Sequence, residues 1–217
     1  MKREANQMSE PTTSIPSKAP SLVELADALD NGGMIGYTRA FVQDFRQGLN
    51  HVSLERFDWM NQLANKKWAG ILCLGMGGAA AGGEFLSALA SFQGTIPVQV
   101  QRDYTLPAWW NPTWLIVATS HSGNTEETLE ATETGLKSGA TVVVISTGGI
   151  LAGLPELYTN CYLVPSIGGQ PPRSAFGHIF SRQLGLLRHL GVLPMPHDGA
   201  DEAMLQRLQK AMDGFDL

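Results

Sequence analysis

Five short apolar runs constrain the fold of this chain more than any other feature: residues 69–74, 96–100, 114–118, 141–145 and 161–164. None alternates apolar with polar residues, so each reads as a strand buried on both faces. Between them lie helical patterns at 84–91, at Glu126–Lys137 and, more briefly, near Leu151. Parallel strands need crossover connections, and helices are the usual ones. The expectation is a doubly wound, flavodoxin-like α/β fold: a five-stranded parallel sheet flanked by helices. In such folds ligands bind beyond the carboxyl ends of the strands.

The flanking segments add helices. Residues 1–20 are rich in Ser, Thr, Pro and charge and read as a disordered tail. Ser21 and Glu24 have the spacing of a capping box for a helix over Leu22–Leu29, which Asp30-Asn31-Gly32-Gly33 then breaks. Apolar residues from Met34 to Ala64 recur at helical spacing and predict two amphipathic helices parted near 51–53. Further helices are expected over 173–190 and 201–212, separated by Pro194 and Pro196. The α/β domain with its N-terminal helices thus spans 21–195, and a last helix occupies 196–217.

With 217 residues, 43% of them hydrophobic, the chain can bury one sizeable core. A net charge of −5 argues against a nucleic-acid surface, which needs a basic face. The apolar runs are far shorter than a membrane span, no signal-peptide core is apparent, and a cytoplasmic location is expected. Cys73 and Cys161 sit in strand-like runs without metal-ligand spacing, so they read as small core residues in a reducing compartment.

Two loops stand out chemically. Ser120-His121-Ser122-Gly123-Asn124-Thr125 follows the third strand and precedes a helix. A helix start carries unpaired N–H groups and positive dipole character, and here hydroxyls, an amide and a glycine crowd beside it. That combination suits a phosphate, although Ser, Asn and Thr are also ordinary helix caps. The first strand runs into Gly75-Met76-Gly77-Gly78-Ala79-Ala80-Ala81-Gly82-Gly83. This stretch lacks the Lys of a Walker loop but fits a loose dinucleotide pattern through Gly75, Gly77 and Ala80, with Asp103 placed for a ribose. Packing of small residues against the sheet explains the glycines equally well, and an NAD-dependent enzyme leaves the Ser120–Thr125 loop without a role.

The order of Gly75-Met76-Gly77-Gly78, the 98–104 strand end, Ser-x-Ser-Gly-Asn-Thr at 120–125, Thr147-Gly148-Gly149 and Gln170-Pro171-Pro172-Arg173 resembles that of the bifunctional phosphoglucose/phosphomannose isomerases. These are built from sugar isomerase (SIS) domains. The resemblance implies isomerisation of glucose-6-phosphate and mannose-6-phosphate to fructose-6-phosphate; no cofactor or metal is expected, and a homodimer is expected to cover the apolar face that a single lobe of this kind leaves. It makes Ser120, Ser122 and Thr125 the phosphate hydroxyls. It has Gly77 and Gly78 contact substrate through their backbone, and it makes Arg173 the catalytic cation at the reacting end. It also implies a linker helix at 196–217 and a second SIS lobe that this chain lacks, together with the lobe's acid–base residues. Ala79 stands where the family usually has Ser. A non-catalytic sugar-phosphate-binding module is the alternative reading. No base is evident: Glu126 and Glu127 complement a helix dipole. His121 is either a ligand contact or a surface loop residue. His178 and His189 lie on one helix face, where a role in packing is as ordinary as one in function. His51 and His197 lie in loops without a partner pattern, and Trp109 and Trp110 read as structural.

Overall fold

The computed structural model of the protein describes residues 19–214. Most of the expected N-terminal tail therefore lies outside the described residues. Helix α1 (Leu22–Leu29) opens with the expected capping box: the Glu24 amide donates to Ser21 Oγ, and the Ser21 amide donates to Glu24. Asp30, at the break after α1, caps the next helix in turn: its carboxylate accepts from the Met34 and Ile35 amides at 2.7 and 2.9 Å. Three helices, rather than two, occupy the next stretch: α2 (Met34–Arg39), α3 (Phe41–His51) and α4 (Trp59–Ala64). Helices α2 and α3 meet at Ala40 without a change in apolar spacing, so periodicity alone joins them.

The α/β unit comes next, in the expected order. Its elements are β1 (Gly70–Leu74), α5 (Gly77–Gln93), β2 (Val98–Gln101), β3 (Trp114–Ser120), α6 (Glu126–Lys137), β4 (Val142–Ser146), α7 (Gly149–Leu157) and β5 (Cys161–Pro165). Helices α8 (Phe176–His189) and α9 (Ala200–Asp213) complete the chain. The five strands are all parallel and run in the order β2-β1-β3-β4-β5. Strands β1, β3 and β4 occupy the centre and are almost wholly buried, as their unbroken apolar runs require.

Two apolar layers sandwich the sheet. Val42, Phe45, Met60, Leu63, Leu86, Leu184 and Leu187 pack on one face against Ile71, Cys73, Val117 and Ile145. Ala131, Leu136, Leu151 and Leu154 pack on the other against Leu72, Leu74, Ile116 and Val144. The N-terminal helices are thus part of the main core: α3 lies along α8 beneath the sheet. The strand order reverses between β1 and β3, so the loops leaving those two strands diverge and open a crevice at their carboxyl ends.

Candidate functional site

Strand β3 ends at Ser120 and delivers its loop to the crevice. The Ser120 side chain is buried; its Oγ accepts the Gly123 amide at 3.1 Å and lies 2.8 Å from Thr125 Oγ1. If Ser120 donates to Thr125, the half-buried Thr125 hydroxyl keeps its own proton for the cleft. The Ser122 hydroxyl is exposed and accepts the Asn124 amide at 3.2 Å, which also leaves its proton available. Thr125 occupies the N-cap position of α6, but its side chain does not cap the helix. Asn124 takes no part in the cleft. Its Oδ1 accepts the Ile150 amide at 3.1 Å and so braces the start of α7. The expected cradle therefore has three hydroxyls, and its amide serves the neighbouring loop.

That bracing is extensive. The His121 carbonyl accepts both the Thr147 amide at 3.2 Å and the Thr147 hydroxyl at 2.7 Å. The Gly123 carbonyl accepts the Leu151 amide at 2.9 Å. Gly123 has φ 70°, a left-handed conformation that glycine adopts without steric cost. The loops after β3 and β4 are thereby locked together.

The glycine-rich loop divides its residues between packing and the cleft. A β-carbon on Gly82 would overlap the Gln183 side chain, and one on Gly83 would press on Cys73 and Val100. Those glycines let α5 lie close to the sheet and α8. Gly77, at φ 53°, would meet nothing, and Gly78 would meet only the Pro172 carbonyl at 3.9 Å. These two open α5 toward the crevice, and Met76, at the N-cap position, offers no side-chain cap. The first turn of α5 and the N-cap residue of α6 therefore line one space. The third wall is the segment before α8, with Pro172 and Arg173. Together with Ala79, His121 and Ile179 these parts enclose a cleft of about 400 Å³. Arg173 is exposed at its rim and pairs with no carboxylate among the described residues. Among the described residues, no Asp or Glu lines the cleft.

Behind the His121 wall lies a polar cluster that apolar patterning does not reveal. His178 is 3% exposed, and its Nε2 stands 3.3 Å from Asp44 Oδ1 on α3. The other Asp44 oxygen accepts from the Gln170 side-chain amide at 3.4 Å. Arg182 is fully buried: its Nε donates to the Pro165 carbonyl at 2.9 Å and its Nη1 to the His178 carbonyl at 2.9 Å. Burial pushes the Arg182 pKa down to about 10, against the opposing pull of Asp44, so the group is still cationic at neutral pH. Burial also holds His178 below the usual imidazole range, opposed by Asp44 and reinforced by Arg182 and His121. Burial depresses His121 likewise. A run of His178, Ser181, Arg182 and Gln183 inside an otherwise apolar helix is the sequence signal for this cluster.

Other candidates lie elsewhere. Asp103 accepts from the Thr105 amide in its own turn and does not line the cleft. Glu127 and Glu126 raise the pKa of the exposed Tyr104, which places them toward the β2–β3 connection. His189 does share its helix face with His178, and both face the α3 region: His189 Nε2 lies 2.9 Å from the Val52 carbonyl. His51 packs against Phe57, and His197 is exposed near α9. Trp109 packs on Trp114 at 4.8 Å between ring centroids, and Trp110 joins the core on that side. Among the described residues, no three His, Cys, Asp or Glu side chains gather as a metal site, and no helix is long and apolar enough to cross a membrane.

Solved structures share this architecture. The tagatose-6-phosphate ketose/aldose isomerase of Escherichia coli superposes with a TM-score of 0.65 at 16% identity, over 85% of this chain and 54% of that one. The sugar isomerase domain of the RpiR transcription factor from Sphaerobacter thermophilus gives 0.54 at 16% identity, over 81% of this chain and 97% of that one. The fold is that of the SIS-type phosphosugar isomerase domains. By sequence the chain is a relative of the bifunctional phosphoglucose/phosphomannose isomerases. It is 38% identical to that of Caldicellulosiruptor bescii over 135 residues, which are 62% of this chain and 39% of the relative. It is 38% identical to that of Thermoplasma acidophilum over 112 residues, 52% of this chain and 34% of the relative. The chain thus spans less than half the length of the curated relatives it matches. No protein-family profile matches it.

Proposed function

We propose that the chain is a sugar-phosphate isomerase-family domain that grips its ligand by the phosphate. The ligands are glucose-6-phosphate, mannose-6-phosphate and fructose-6-phosphate. One observation carries the reading: Ser122, Thr125 at the N-cap of α6 and the opening turn of α5 line one cleft, which Arg173 also lines. Ser120 acts from behind, orienting the Thr125 hydroxyl. The backbone of Gly77 and Gly78 approaches the ligand without side-chain obstruction. Arg173 stabilises the negative charge of the enediolate, where a cation is worth most.

Aldose–ketose isomerisation also needs a base beside the carbon that loses its proton. The cleft lining supplies no carboxylate. The chain therefore holds the phosphate and oxyanion half of the chemistry, and turnover draws on a base from outside this lining. That same observation favours the second reading, a non-catalytic sugar-phosphate sensor.

Thermal-shift titration with fructose-6-phosphate, paired with an isomerisation assay on the purified chain, separates these readings. Stabilisation at millimolar ligand is expected; its absence overturns the phosphate reading. Turnover by the chain alone overturns the incomplete-catalyst reading. We further propose a homodimer, supported by the exposed Phe85, which leaves a ring cluster with Phe176 and Phe180 open on one surface. A monomeric mass by light scattering would contradict it.

A further inference from the structure

The cleft presents an electrostatic problem to a phosphate. A phosphomonoester carries close to two negative charges at neutral pH. The lining offers one cation, Arg173 at the rim, while the first turn of α6 carries Glu126 and Glu127. Hydroxyls and amides orient a phosphate but do not neutralise it.

His121 lines the cleft, and its Nε2 is buried without a hydrogen-bond partner among the described residues. Nδ1 of His178, behind it, is also buried and unpartnered. The far nitrogen of His178 faces the Asp44 carboxylate at 3.3 Å, so Nε2 carries the proton and Nδ1 is left as a bare acceptor. Asp44 thus fixes the tautomer of His178, and His178 and His121 each disfavour a positive charge on the other.

We propose that the site takes up its phosphate ligand together with one proton, carried by His121. This inference rests on the phosphate reading of the cleft. The surrounding charges set the sense. Burial keeps both imidazoles neutral in the free protein, helped at His178 by Arg182 and opposed there by Asp44. An arriving dianion reverses that balance at His121.

Calorimetric titration with fructose-6-phosphate at about pH 7.5, in Hepes and in Tris, counts protons from the difference in heat between buffers. The wild type is expected to take up about half a proton or more per site, and its affinity to fall up to about tenfold per pH unit between about pH 7 and 8. H121Q and H121F, the latter keeping the ring's bulk, are expected to bind with uptake close to zero. Wild-type binding without uptake, or equal uptake in both variants, overturns this inference alone. Absence of binding by the wild type overturns the phosphate reading as well. In the ligand-free protein, histidine NMR titration should show the His178 midpoint rise in H121Q, where a competing imidazole is lost; an unchanged midpoint contradicts the coupling.

Discussion

A β-carbon placed on Gly123 would overlap the carbonyl oxygen of Gly148. The Ser120–Thr125 loop after β3 and the loop after β4 therefore touch backbone to backbone, and the first has its shape because the second supports it. Gly149 mirrors the relation, since a β-carbon there would run into the Ser122 carbonyl. Both glycines also sit at φ 70°.

Gly123→Ala combines a backbone collision with a left-handed φ. It is expected to destabilise the fold by about 1–3 kcal/mol. It should also weaken fructose-6-phosphate more than the stability loss explains, because the clash displaces Ser122. Denaturant unfolding and ligand titration at a temperature where the variant is folded provide the two numbers. An unchanged midpoint would mean that the loops are not in contact.

How much of this is legible in the sequence differs by element. Trp114–Ser120 and Glu126–Lys137 announce themselves, because a buried parallel strand is a continuous apolar run and an exposed helix is amphipathic. Helix α5 does not: it starts at Gly77, well before its pattern becomes recognisable at Glu84. Its opening turns consist of Gly and Ala, chosen by the closeness of Cys73 and Gln183 rather than by helix propensity. Asn124 belongs by type to the phosphate loop, yet its partner lies 26 residues away, which no local pattern encodes. Asp44 gives no signal for the same reason: its partners His178 and Gln170 come from another helix and a distant loop.

Three depressed histidines predict how stability depends on pH. His51, His121 and His178 all have folded pKa values below the ordinary 6.5, with burial as the leading cause. The unfolded chain therefore binds more protons than the folded one as pH falls through that value. Stability is accordingly full above about pH 7 and declines as acid is added toward about pH 5. Melting temperatures measured across that window should fall with pH, and H121Q should reduce the slope. A flat profile would show that these rings titrate as in the unfolded chain.

Both cysteines should be inert in the native state. Burial pushes the Cys73 and Cys161 thiols up to about 12, and the thiolate is the reactive form. Ellman's reagent is expected to label neither thiol in native buffer and both in denaturant. Rapid native labelling would mean that β1 or β5 opens readily.

Arg173 should separate from the phosphate loop by phenotype. Arg173→Ala removes a cation from the rim without touching Ser122 or Thr125. It should leave inorganic phosphate binding nearly unchanged while weakening fructose-6-phosphate about tenfold, the scale of a charge-assisted hydrogen bond. Parallel titrations of the two ligands read the difference. Equal losses for both would place Arg173 at the phosphate instead.

The most direct measurement is thermal stabilisation by fructose-6-phosphate set against unphosphorylated fructose, in the wild type and in a Ser122→Ala/Thr125→Val double variant. The wild type is expected to respond to the phosphorylated sugar alone, and the double variant to lose the response while remaining folded, its ligand-free melting temperature lowered modestly by the lost Ser120–Thr125 hydrogen bond. Equal responses to both sugars, or an undiminished response in the double variant, would contradict the claim that these hydroxyls hold the phosphate.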